Sequence, residues 1–159
     1  MKTYHLGGLV LAAGLTLAAC NVATPQSSGS GGYATGMSSP QSAPTTVQAA
    51  QSRLGMILVD AQGRTLYAFT NDANGSPTCN GACANAWPPV AADGATTPGP
   101  RLNAALFSKA TRADGSSQLK IGRWPVYHYA GDGAPGDVNG QGSGGTWFVI
   151  SPDGSLIRS

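Results

Sequence analysis

One offset governs the folded part of this chain. Tyr67, Phe69, Asp72 and Trp87 are each matched sixty positions later, by Tyr127, Tyr129, Asp132 and Trp147. Three of the four pairs are aromatic in a chain with 7% aromatic residues, so chance is a poor explanation. Two related units, each too small to close a core alone, are expected to share one. Tyr67 and Phe69 stand two apart, as do Tyr127 and Tyr129. On extended backbone each pair therefore shares one face of its strand.

The local pattern is one of strands. Met56-Ile57-Leu58-Val59 is an apolar run, Asp60-Ala61-Gln62-Gly63 punctuates it, and Arg64 to Thr70 resumes. Ser117 to Ile121, Val126 to Ala130, Trp147 to Ile150 and Leu156-Ile157 read as further strands. Asp-Gly pairs at 93–94, 114–115, 132–133 and 153–154 supply turn chemistry. All seven acidic residues are Asp, charged residues are 10%, and the chain holds 23 Gly and 11 Pro. That composition disfavours helix bundles and coiled coils. A short helix over Leu102–Lys109 and one turn over Ala82–Ala86 are the helical expectations. The expected fold is all-β over residues 51–159: a small antiparallel sandwich or barrel-like domain built from two related strand units.

The residues before it read as an address. Residues 1–19 are expected to be a lipoprotein signal peptide, with Lys2 followed by an apolar run from Leu6 to Ala19. The run is too short for a resident membrane helix. Leu17-Ala18-Ala19-Cys20 resembles the bacterial lipobox, in which the Cys20 thiol is acylated and the chain is cut just before it. An ordinary secretory cleavage site is the alternative. Residues 20–50 are expected to be the lipidated N-terminus and a flexible, uncharged tether, rich in Ser, Gly, Thr, Pro, Gln and Ala. Such a coil reaches roughly 30 Å on average. The expected location is the cell envelope, held through the N-terminal lipid. In a Gram-negative host, Asn21 after the cysteine points to the outer membrane, facing periplasm or surface. The formal net charge is +2, too small for a field that steers nucleic acid.

Leu66-Tyr67-Ala68-Phe69-Thr70-Asn71-Asp72 and Val126-Tyr127-His128-Tyr129-Ala130-Gly131-Asp132 both fit Tyr-x-(Phe/Trp/Tyr)-x-x-Asp. With Cys79-Asn80-Gly81-Ala82-Cys83 and Trp87-Pro88-Pro89, the chain resembles the predicted bacterial lipoproteins defined by that motif, also called the secreted repeat of unknown function. The likeness covers about residues 54–157, and the second repeat lacks the cysteine pair. It implies a small exported β domain and supplies no mechanism.

The remaining chemistry has two readings at each position. Cys79 and Cys83 are expected to form a disulfide, since exported thiols oxidise. A redox or metal thiol pair, with His128, is the alternative. Zinc, however, needs four ligands. Tyr67, Phe69, Asp72, Trp87, Tyr127, Tyr129, Asp132 and Trp147 are either the core or a groove for a ligand. Asp72 and Asp132 most simply cap the turns that end their strands. His128 alternates with Tyr127 and Tyr129, so it is expected to face away from them. Asp137, Asn139 and Gln141, like Asp72, Asn74 and Ser76, resemble the start of a calcium loop. Position twelve, where the closing Glu belongs, is Phe148 or Cys83, so Asx turns are preferred and no metal site is assigned. No Gly-x-Ser-x-Gly or HExxH motif is present, and only His128 follows the signal segment. A non-enzyme is therefore expected, with no cofactor. It is read as a monomer that binds an envelope protein or a small ligand. The alternatives are an accessory in extracytoplasmic redox or metal handling, and a purely structural envelope protein.

Overall fold

The computed structural model describes residues 44–158. The signal segment, Cys20 and the tether as far as residue 43 lie outside the described residues. Among the described residues, eight strands and one short α-helix, with three 3-10 turns between them, make up the elements: β1 (Thr45–Ser52), β2 (Gly55–Asp60), β3 (Tyr67–Phe69), α1 (Ala82–Ala86), β4 (Thr96–Pro98), β5 (Phe107–Thr111), β6 (Ser117–Ile121), β7 (Trp124–Tyr127) and β8 (Trp147–Val149).

They form two sheets and no closed barrel, ordered β2-β1-β4 and β5-β6-β7-β3-β8. All pairings in the larger sheet are antiparallel. In the smaller sheet β1 pairs antiparallel with β2 and parallel with β4. The fold is all-β with two repeat units, as the strand pattern predicts.

The folded part begins earlier than the composition suggests. Residues 45–50, placed by composition in the tether, are most of β1. Thr45, Thr46 and Val47 are β-branched and suit a pleated surface. Val47 is fully buried, and all of β1 from Val47 to Ser52 is laddered to β2. The mild hydropathy of the segment hid a strand whose partners lie elsewhere in the chain.

The expected helix over Leu102–Lys109 is absent. Asn103 Oδ1 instead accepts from the Ala105 N–H at 3.0 Å, holding a single 3-10 turn at Ala104–Leu106. The chain then enters β5, whose five residues all pair with β6. Competition between the Asn side chain and the backbone favours such a cap over a helix interior. The one-turn helix at Ala82–Ala86 forms as expected. The strand expected over 64–70 is shorter, confined to Tyr67–Phe69.

Alternation along β3 and β7 sorts side chains into two cores. Leu66, Ala68 and Val126 join Val47, Leu58, Leu119, Ile121, Ile150 and Trp124 in a mainly aliphatic cluster. Tyr67 and Tyr127 join Trp87, Trp147, Ile57, Val149 and Cys79 in an aromatic one. Period-two geometry thus sends the matched aromatics to one side of the larger sheet.

Candidate functional site at the repeat junction

β3 and β7 are corresponding strands of the two repeats, and they pair antiparallel with Tyr67 opposite Tyr127. An approximate two-fold axis passes between these residues. Bonds recur across it with the repeats exchanged. The Thr70 N–H donates to Thr146 O at 2.8 Å, and the Ala130 N–H donates to Ala86 O at 2.9 Å.

The side chains obey the same exchange. The Tyr67 hydroxyl donates to Asp132 Oδ2 at 2.7 Å, and the Tyr127 hydroxyl donates to Asp72 Oδ2 at 2.6 Å. Each tyrosine therefore bonds the aspartate of the other repeat. The second oxygen of each carboxylate takes a backbone N–H, from Thr78 to Asp72 at 2.9 Å and from Asn139 to Asp132 at 3.0 Å. The Thr78 hydroxyl adds a further bond to Asp72.

A third exchange involves arginines. Arg53 donates to Val138 O at 3.0 Å, and Arg112 donates to Cys79 O at 2.8 Å. Arg53 is exposed, whereas Arg112 is buried and also donates to Gln118 Oε1 and Asn80 Oδ1. These bonds supply the partners that a buried guanidinium requires.

Six rings fill the space between. Phe69 stacks on Trp147 at 4.3 Å between centroids and Trp147 on Trp87 at 3.8 Å, while Tyr129 lies 4.4 Å from Trp87 with the planes tilted by 32°. Tyr67 meets Trp87 edge-on, and Tyr127 meets Trp147 likewise. The edge contacts suit the ring quadrupoles, whereas the parallel Trp87–Trp147 pair gains from dispersion and burial instead. Trp87 is placed by the segment before it. Cys79 and Cys83 are joined in a disulfide with Cα atoms 5.3 Å apart, and the Trp87 N–H donates to Cys83 O at 2.9 Å. From the other repeat, Gly140 approaches so closely that a Cβ there would lie 2.7 Å from the Trp87 ring.

Burial, then the Asp132 bond, holds the Tyr67 hydroxyl far above the ordinary phenol range. The same causes, with Asp72 as partner, push Tyr127 up to about 12. Burial raises the Asp132 carboxyl above the usual carboxylate range, against the bonds from Tyr67 and Asn139.

All eight aromatic and acidic positions singled out by the repeat come together here. Tyr67, Tyr127 and Asp72 are fully buried, and Trp87 and Trp147 nearly so. Only Phe69, Tyr129 and Asp132 are partly exposed. Asp72 and Asp132 do accept backbone N–H groups from the following loops, but the cross-repeat tyrosine bonds escaped the sequence reading. So did Arg53 and Arg112, which lie 59 apart, as do their acceptors Cys79 and Val138. An offset of 59 matches the two arginines in type, but not their acceptor positions, where Cys79 corresponds to Val138.

His128 faces away from this cluster. The Thr65 carbonyl lies 3.2 Å from Nδ1 and accepts from it in the tautomer protonated there. Nε2 lies 3.4 Å from Asp60 Oδ2, which also takes the Arg64 guanidinium at 2.7 Å. Burial, then the Arg64 charge, lowers the imidazole below its usual range. A cavity of about 170 Å³ opens here, lined by Arg64, Thr65, Pro88, His128, Tyr129 and Asp132. The calcium-like segments form local turns. Asp137 Oδ2 accepts the Gly133 and Ala134 N–H groups, and Asn74 Oδ1 accepts that of Ser76.

The family model of the secreted repeat of unknown function matches residues 48–91 and again residues 108–151, together more than half of the chain. The chain belongs to the secreted repeat family. The two matched stretches begin and end sixty positions apart, which is the spacing of Tyr67 and Tyr127 across the axis. Each secreted repeat thus contributes one hairpin, one central strand and one set of rings. Membership fits an exported protein. No curated protein and no solved structure matches the chain.

Proposed function

We propose that this secreted-repeat protein is a lipid-anchored envelope protein whose folded module is a non-enzymatic scaffold for binding. The carrying observation is the exchanged Tyr67–Asp132 and Tyr127–Asp72 pairing. The groups best suited to acid–base work bond each other across the repeats, and Asp72, Tyr67 and Tyr127 are closed to solvent. Recognition then falls to the partly exposed end of the cluster, where Tyr129, Asp132, His128 and Arg64 line the small cavity. A ring edge, a guanidinium and a neutral imidazole suit a small polar ligand or a polar side chain of an envelope partner. The thiol pair is a less apt metal or redox handle, because both sulfurs lie in one disulfide.

Two measurements test this. Mass spectrometry of the protein from its native envelope should find an acyl group on Cys20. A photo-crosslinker at exposed Ala130, beside the cavity, should capture a discrete species that the same label at exposed Ala113 misses and that Arg64→Ala abolishes. An unmodified Cys20 defeats the anchor. Turnover of an envelope substrate that disappears with Asp132→Asn defeats the non-enzymatic reading.

A further inference from the structure

The ring column has a direction that packing alone does not call for. Phe69, Trp147 and Trp87 stack, and Tyr129 continues the column tilted against Trp87, in unbroken contact from one partly exposed end to the other. The two ends are equivalent positions of the repeats, yet one is a phenylalanine and the other a tyrosine. Benzene rings without a hydroxyl resist one-electron oxidation, whereas phenols and indoles yield to it. Oxidisable rings therefore run from the Tyr129 end inward through Trp87 to Trp147 and stop at Phe69.

A proton acceptor stands beside each buried phenol. A buried hydroxyl needs only some acceptor, and a carbonyl would serve. Here both acceptors are carboxylates, which can hold a whole proton. Tyr67 touches both Trp87 and Tyr129, with ring centroids 5.4 and 6.4 Å away, and donates to Asp132. Tyr127 touches Trp147 and donates to Asp72.

We propose that this cluster is a one-electron relay, in which Tyr129 passes electrons out to a high-potential metal centre or organic radical and the Tyr67–Asp132 pair stores the resulting oxidation. The external oxidant gains one electron. Tyr67 loses one electron through Trp87 and Tyr129, its O–H bond breaks, and the proton moves to Asp132 Oδ2. The products are a neutral phenoxyl radical and a neutral carboxylic acid, so no atom leaves the protein. One electron from a reductant reverses the step. Tyr127 and Asp72 repeat the arrangement deeper, behind Trp147. The relay does not depend on where the chain is anchored or on what the cavity binds.

Photogenerated tris(bipyridine)ruthenium(III), a one-electron oxidant, tests it on the purified mature chain, read by freeze-quench electron paramagnetic resonance. The wild-type protein should give a neutral tyrosyl radical. The double variant Tyr67→Phe/Tyr127→Phe should diminish that signal, leaving only what Tyr33, Tyr129 and the indoles contribute, while Tyr129→Phe should slow its appearance. If the double variant fails to fold, Asp132→Asn serves instead: it keeps the Tyr67 hydroxyl but removes its proton acceptor, and should lower the tyrosyl yield. A tyrosyl signal undiminished in the double variant or in Asp132→Asn overturns the proposal. So does one whose rate ignores Tyr129→Phe.

Discussion

Tyr67 stands directly opposite Tyr127 in the antiparallel pairing of β3 and β7, and each donates its hydroxyl to the aspartate that follows the other. The two bonds are alike in geometry and unlike in setting. Asp72 is fully buried, whereas Asp132 is partly exposed. Tyr127→Phe should therefore cost about 1.5–3 kcal/mol, the range for a bond to a charged group that leaves its partner buried. Tyr67→Phe should cost less, because water can reach Asp132. Urea unfolding of the two variants side by side checks the order.

Alkali should unfold the protein through the same tyrosines. In the unfolded chain a phenol ionises near its usual value of about 10. In the folded chain Tyr127 holds its proton up to about 12, and Tyr67 shifts in the same direction. Between those values the unfolded state loses protons first, so stability falls as pH rises. Unfolding midpoints measured upward from pH 9 should drop, and Tyr67→Phe/Tyr127→Phe should flatten the slope.

His128 sets a separate, acidic limit. Its folded value is lowered by burial and by Arg64, so below about pH 6.5 the unfolded chain takes up a proton that the folded chain resists. Stability present at pH 7 should therefore decline as pH falls through that region. His128→Gln should remove this component in a pH series of thermal melts, leaving any decline due to carboxylates.

The disulfide loop and Arg112 should act as a unit. Removing Cys79–Cys83 opens a five-residue loop and should cost about 2 kcal/mol in the chain-entropy picture. Arg112→Ala strips Cys79 O, Asn80 and Gln118 of one shared donor and should cost about 3 kcal/mol. Because the arginine holds the loop that the disulfide closes, the combined loss should be smaller than the sum. A double-mutant cycle measures the difference.

The β1 boundary is equally testable. A chain that starts at Gln51 lacks Val47 and most of the ladder to β2 and β4. It should fail to show cooperative unfolding, whereas one starting at Pro44 should retain it. Circular dichroism with thermal melting distinguishes the two.

Strand content, the repeat and the Cys79–Cys83 pairing were legible because each leaves a local mark: alternation, a fixed offset, or two thiols near each other. The start of β1 left none. Thr45-Thr46-Val47-Gln48-Ala49-Ala50 looks like the segment before it until β2 and β4 are beside it. The Tyr–Asp pairs were half legible. Their residues stood out at once, but sequence spacing suggested that each aspartate serves its own repeat. Antiparallel pairing about an axis carries each tyrosine to the opposite aspartate, and no local pattern encodes that. Arg112 and the Asp60–His128 pair were missed because such residues read as surface until tertiary packing encloses them, while Arg64 stays exposed and reaches in to Asp60.

Placing Tyr67 against its own counterpart has an architectural consequence. Two identical copies of one half would meet through the same contacts that join the halves here, since an isologous contact needs nothing from its partner that it does not itself offer. Joined in one polypeptide, that association no longer depends on dilution. Each copy is then free to diverge: one half carries a staple that the other lacks, and one end of the ring stack carries a hydroxyl that its counterpart does not.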